Sequence, residues 1–287
     1  MAILHIIVLA VVQGLAELLP VSSSAHVIIV EKLLGLDPTT PEMTLLLVML
    51  HTGTMFAVIA YFWKSWRQTF FASPQAVWKY GKLLVISTAL TGVIALAIMK
   101  VVERVAFRNL PKAEIELLFG NLPLIAIALA SVGILILYAA LRQERAAAAQ
   151  IESVGTKEAA WMGAIQGLCL PFRGFSRSGA TISTGMILGA SKQRVEEFSF
   201  AMAVVLTPPV LLREILRLLK SHEALLAHGG VFSLFLPELL GLVLSFAAGL
   251  LALRWLSRWL ERGRWHFFGF YCLLASGVVL LLYVKGF

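Results

Sequence analysis

Residues 13–26 read QGLAELLPVSSSAH, and residues 166–180 read QGLCLPFRGFSRSGA. Each stretch begins Gln-Gly-Leu, passes a proline and reaches a cluster of serines, inside sequence that is otherwise almost entirely apolar. Proline removes a backbone donor and clashes with the preceding turn, so each stretch interrupts a helix rather than extending it. The fold depends on what surrounds these two polar knots and on whether they belong together.

Their surroundings are a bilayer. The chain has 287 residues, of which 59% are hydrophobic and 14% charged, and its mean hydropathy is +0.87. A water-soluble domain could not bury that much apolar surface and still cover itself with polar groups, so the sequence reads as an integral membrane protein. The opening run MAILHIIVLAVVQGLAELLP has no basic segment before it and carries Gln13 and Glu17 at its far end. It reads as part of the mature structure rather than a signal peptide. Cys169 and Cys272 lie in apolar runs, where a free thiol behaves as a small hydrophobe.

A hydrocarbon core of about 30 Å takes about 20 helical residues, and six runs reach that length: about 42–63, 83–101, 115–141, 197–219, 232–254 and 265–285. Residues 3–19 with 22–35, and 159–170 with 178–190, are instead pairs of shorter apolar segments broken by Pro, Gly and Ser. Broken backbone at membrane depth is tolerated where it lines a cavity or is buried in protein, so each pair is expected to form a re-entrant hairpin. About 18 residues beyond each serine cluster an acidic residue, Glu42 or Glu196, opens a full-length span.

This recurrence marks an internal duplication. Three spans separate the copies, an odd number, so the second copy is inverted relative to the first, and inverted repeats bring their polar breaks together near the midplane. The expected fold is one all-α polytopic domain over residues 1–287, with six transmembrane helices and two re-entrant hairpins. Repeat 1 covers about 1–141 with its hairpin at 3–35; repeat 2 covers about 159–285 with its hairpin at 159–190.

The net charge of +8 lies mostly in short loops between spans, where it encodes topology rather than nucleic-acid binding. The side carrying Lys64, Arg67, Arg142, Lys157, Lys192, Arg258 and Arg262 is richer in Lys and Arg than the side carrying Lys32, Lys100, Arg104 and Lys285. Taking the richer side as cytoplasmic puts both termini outside. The stretch RWLSRWLERGRWHFF reads as an aromatic and basic interfacial anchor, and QERAAAAQ at 143–150 as a helix-prone connector.

The knots carry the chemistry. Arg177, between Ser176 and Ser178, offers a five-donor fork where a half-helix presents unpaired N–H groups, a donor set suited to a phosphate oxyanion. Gly174 and Gly179 allow close backbone approach, and charge at this depth is expensive enough to be functional as a rule. In the first knot Gln13 and Glu17 share a helical face, followed by Ser22, Ser23, Ser24 and His26. A carboxylate and an amide oxygen can hold a hard divalent cation such as Mg²⁺ or Ca²⁺, with water and substrate phosphate completing its shell. His26 is placed to act as proton donor, base or nucleophile. His51 and Glu238 lie within spans and read as an internal pair or as cavity lining.

QGLAELLPVSSSAHVIIV together with GFSRSGATISTGMILGASKQRVEEFSFAMAV resembles the undecaprenyl-pyrophosphate phosphatase family, also called bacitracin-resistance proteins. Gln13, Glu17, Ser22, Ser23 and His26 match its first motif, and Ser176, Arg177, Ser178 and Thr181 its second. Two features depart from the pattern: Gln13 stands where many members carry Glu, and PFRGFSRSG adds a residue and Arg173 at the turn.

The resemblance implies hydrolysis of undecaprenyl diphosphate to the monophosphate and inorganic phosphate, recycling the lipid carrier of cell-wall synthesis in the bacterial inner membrane. It makes Glu17, Ser23, His26 and Arg177 catalytic and Ser22, Ser176, Ser178, Gly179 and Thr181 substrate-binding, with Gln13 and Glu17 on the metal. The nucleophile stays open between Ser23 activated by His26, His26 itself, and water. The implied partners are the polyprenyl diphosphate and membrane lipid, with a homodimer allowed and nucleic acid excluded. The alternative is a transporter or flippase of such a lipid, because inverted repeats with broken helices also build carriers. A type-2 phosphatidic-acid phosphatase fits poorly, since Ser183 stands where that motif wants a histidine.

Overall fold

The computed structural model describes residues 2–37, 40–106, 121–145, 153–220 and 231–286, which are helical with no strand among them. In chain order the helices are α1 (Ile3–Leu18), α2 (Ser23–Leu33), α3 (Pro41–Thr69), α4 (Pro74–Ala106), α5 (Leu122–Arg145), α6 (Thr156–Cys169), α7 (Arg177–Ile187), α8 (Lys192–Lys220), α9 (Val231–Glu261) and α10 (His266–Val284). The chain is a multi-pass membrane protein: α3, α4, α5, α8, α9 and α10 are each long and apolar enough to cross a bilayer.

Each of these six coincides with one of the six apolar runs read from the sequence, α10 falling one residue short of its run at each end. The start of the 115–141 run and most of the 143–150 connector lie outside the described residues. Several helices outlast their apolar runs, α3 reaching Thr69 and α9 reaching Glu261, because basic and aromatic residues continue a helix readily once it has left hydrocarbon.

The remaining four helices are too short to cross. At 1.5 Å per residue, α1 with 16 residues rises about 24 Å and α2 with 11 about 16 Å, below the roughly 30 Å of hydrocarbon. Helices α6 and α7 have 14 and 11 residues. The breaks have local causes. Leu19, before Pro20, sits at φ −73°, ψ 151°, the extended region to which a residue preceding proline is confined. Before α7, Gly174 has φ 98°, and a Cβ there would come within 2.6 Å of the Ile125 carbonyl oxygen. Only glycine fits that left-handed, close-packed position without strain.

Packing positions the short pairs. Helix α1 lies on α2, α3 and α9, and α6 lies on α7 and α4; α5 pairs with α10 and also meets α7, and α3 meets α8 and α9. Where α1 crosses α9, a Cβ on Gly14 would stand 2.6 Å from Ala248 Cβ. The backbones approach there through small residues, the usual basis of helix association in lipid. Val85, Leu274 and Val284 face outward, and only 17% of the apolar window of α4 is buried, as suits helices whose solvent is lipid.

The EEFSF segment is an anchor between helices. Glu196 accepts a hydrogen bond from Ser257 at 2.6 Å, while Glu197 accepts from Ser65, from Gln193 at 3.0 Å and from Arg194 at 2.8 Å. These buried carboxylates tie α8 to α9 and to α3, and their partners keep the cost of burial low.

Candidate active site

The two breaks meet. Ser178 donates to the Leu19 carbonyl at 3.3 Å, the Gly174 N–H donates to Ser24 Oγ at 3.5 Å, and a Cβ on Gly179 would lie 3.2 Å from the Pro20 carbonyl oxygen. The second knot therefore sits on the backbone of the first.

At the junction, Arg177 Nη2 donates to Glu17 Oε1 at 2.9 Å. Ser23 donates its hydroxyl to Glu17 Oε2, and Gln13 Nε2 reaches the same oxygen at 3.2 Å. Arg177 Nη1 is buried with no hydrogen-bond partner among the described residues. A buried guanidinium nitrogen without an acceptor is costly, and here it leaves half of the fork for a ligand.

The backbone aims these groups. Ser22 is the single non-glycine residue of positive φ among the described residues, at 67°, a conformation that costs free energy and concentrates at functional sites. It turns the chain so that α2 starts with Ser23 facing back onto α1. In the second knot Ser176 caps α7, accepting from the Gly179 N–H at 3.2 Å, which puts Arg177 on the first turn of a helix, where partial positive charge gathers.

The other residues read from the sequence also have defined partners. Ser22 Oγ is 3.3 Å from Ser24 Oγ, and Ser176 Oγ is 3.5 Å from Ser178 Oγ. Thr181 donates to the Arg177 carbonyl at 2.8 Å and stands 2.6 Å from Ser199 Oγ, so its hydroxyl turns to α8 rather than to the guanidinium. His26 does not hydrogen-bond Ser23. Its Nδ1 lies 2.8 Å from the Ser22 carbonyl, which fixes Nδ1–H as donor, and its Nε2 then accepts from the Tyr271 hydroxyl at 2.6 Å. Three residues along α2, the imidazole has turned away from α1 towards α10.

His51 joins the site instead. Its Nδ1 donates to the Leu47 carbonyl at 2.8 Å, which turns Nε2 towards Glu17, 3.9 Å from Oε2. In the sequence His51 reads only as an internal partner of Glu238 or as cavity lining, because it stands on a different span, 34 positions from Glu17, with no motif around it. Tyr271 gave no signal at all.

For a divalent cation, the residues offer one carboxylate and one amide. No group of three or more His, Cys, Asp or Glu gathers among the described residues. That donor set fits an ion that keeps water and is held largely by substrate phosphate, as Mg²⁺ commonly is, and does not fit an all-protein cage.

Comparison with known proteins gives a consistent pattern. The family model described as "Bacitracin resistance protein BacA" matches residues 6–279. A protein of Acinetobacter baylyi named "Undecaprenyl-diphosphatase 2" is 55% identical over 98% of both chains. One from Burkholderia ambifaria with the same name is 34% identical over 96% of this chain and 95% of the relative. "Undecaprenyl-diphosphatase" of Parabacteroides distasonis is 30% identical over 96% of each.

Proposed function

The chain belongs to the bacitracin resistance protein BacA family, and from that premise and the site's geometry we propose that it hydrolyses undecaprenyl diphosphate to undecaprenyl phosphate and inorganic phosphate. The observation that carries this reading is Arg177, held to Glu17 through Nη2 while Nη1 lies buried without an acceptor. A phosphoryl oxygen supplies that acceptor, and charge developing on the group in transit is met by a donor already in place.

Glu17 is hydrogen-bonded to the Ser23 hydroxyl, the arrangement of a base with its nucleophile. Ser23 Oγ attacks the terminal phosphorus and its proton passes to Glu17. The new Oγ–P bond forms as the bond from phosphorus to the bridging oxygen breaks, and undecaprenyl phosphate leaves with that oxygen. Water then cleaves the phosphoserine, giving inorganic phosphate and restoring Ser23. His51 Nε2, facing the same carboxylate oxygen, carries the proton onward. Glu17 and the amide oxygen of Gln13 are the residues that would hold Mg²⁺ or Ca²⁺ against the diphosphate. The ion, when bound, neutralises phosphate charge.

The architecture follows the same reading. We infer that α1–α2 and α6–α7 are re-entrant pairs of one inverted repeat: α1 lies along α9 as α6 lies along α4, the exchange of partners expected if α1 corresponds to α6 and α4 to α9. The basic-residue bias then places the termini and the mouth of the site on the periplasmic face of the inner membrane, where the spent lipid carrier of wall synthesis is recycled. Phosphate release from a polyprenyl diphosphate by the purified protein in detergent tests the reading. A carrier without hydrolysis releases none.

A further inference from the structure

An apolar groove opens beside the polar centre. It encloses about 380 Å³ and is lined by Val12, Leu15, Ala16 and Leu19 of α1 and its end, by Trp255 and Trp259 of α9, and by Phe267 and Phe268 of α10. Its polar wall consists of His26 and Tyr271, joined by their hydrogen bond at 2.6 Å and stacked with ring centroids 5.7 Å apart. Helix α1 carries both surfaces: Gln13 and Glu17 face the ion pair, while Val12, Leu15, Ala16 and Leu19 form the groove wall. The adjacent Cys272 donates to the Pro20 carbonyl at 3.3 Å, which fixes α10 against the break. The groove runs along α1 from Val12 to Leu19 and is closed by the end of α9 and the start of α10.

We propose that this groove seats the first isoprene units of the lipid tail, with the His26–Tyr271 pair marking the boundary between tail and phosphates. The inference rests on the hydrolase reading above and adds to it the site of tail recognition. The occupant follows from continuity. An amphiphile whose phosphates engage Arg177 must send its hydrocarbon out of the polar centre, and the groove begins on the helix that carries Glu17, at the histidine three residues from Ser23. Its volume falls in the range of ligand sites, roughly 300–1,000 Å³, and its aromatic walls at Trp255 and Phe267 are open to lipid, which gives a long tail a lateral exit.

The test compares kcat/KM for farnesyl diphosphate and dimethylallyl diphosphate, which share a head and differ in tail, on the same preparations of wild type, Val12→Trp and Trp259→Ala. Because both substrates are read on one preparation, loss of folded protein scales both alike and leaves their ratio unchanged. The expected result is a farnesyl preference in the wild type that falls tenfold or more when Val12→Trp fills the groove, and severalfold when Trp259→Ala removes its wall. Ratios unchanged in both variants overturn the assignment and leave the groove to bulk lipid. A wild type that hydrolyses neither substrate removes the hydrolase reading itself, and the tail site with it.

Discussion

Glu17 Oε1 and Arg177 Nη2 are 2.9 Å apart across 160 positions of sequence, with side chains 18% and 19% exposed. Removing one partner of a buried pair costs up to about 3–5 kcal/mol, because the other charge is left uncompensated, and the residual exposure here lowers that figure. Glu17→Ala is expected to lower the thermal unfolding midpoint in detergent. The double variant Glu17→Ala/Arg177→Met recovers much of the loss while remaining inactive.

The hydrogen bond from Ser23 to Glu17 makes Ser23 the expected site of covalent phosphate. Ser23→Ala should reduce kcat by at least about a hundredfold, on the scale of losing an activated nucleophile. Rapid detergent quench of the wild type at neutral pH, which preserves both phosphoserine and phosphohistidine, followed by peptide mass spectrometry should find phosphate on Ser23. Phosphate mapped to His26, or turnover retained in Ser23→Ala, contradicts the assignment.

His51 is expected to act in proton transfer rather than binding. His51→Ala should lower kcat by about 10²-fold, within the usual range for general acid–base catalysis, with KM little changed. A rise in KM at constant kcat would make it a binding residue instead.

With one carboxylate and one amide as donors, a divalent ion is held mainly by substrate. Chelation should therefore stop turnover and added Mg²⁺ or Ca²⁺ should restore it, while the unfolding temperature without substrate barely moves, since stabilisation by an ion follows its affinity for the folded protein. Full activity in excess chelator contradicts a metal role.

Gly174 is a structural prediction. Its φ of 98° and its closeness to the Ile125 carbonyl leave no room for a methyl group. Gly174→Ala should destabilise the protein by about 1–3 kcal/mol and reduce activity through the misplaced loop, measured by thermal unfolding alongside phosphate release.

The spans were legible in the sequence because hydropathy over about 20 residues is a strong signal, and the breaks were legible because Pro20 and Gly174 punctuate apolar sequence. Gln13, Glu17 and Arg177 could be picked out by residue type and spacing, and Ser23 among its neighbouring serines through the family motif. Their meeting could be expected from the recurring Gln-Gly-Leu stretches. Partner choice was not legible. Thr181 and Ser178 look like ligand-binding hydroxyls in a motif, yet the fold turns Thr181 to Ser199 and Ser178 to the Leu19 carbonyl. His26 looks like the partner of Ser23, yet the left-handed Ser22 aims Ser23 at Glu17 and leaves the imidazole to Tyr271. His51 and Tyr271 arrive from other spans, and no local pattern announces a contact made only in three dimensions.

The most direct measurement is inorganic phosphate released from farnesyl diphosphate by purified wild type and by Arg177→Ala at matched folded concentration. If the two breaks form one diphosphate-cleaving centre, the wild type turns over and Arg177→Ala falls by at least about 10²–10³-fold, the scale of losing a preorganised donor to the transition state. Near-normal release by Arg177→Ala would contradict the account.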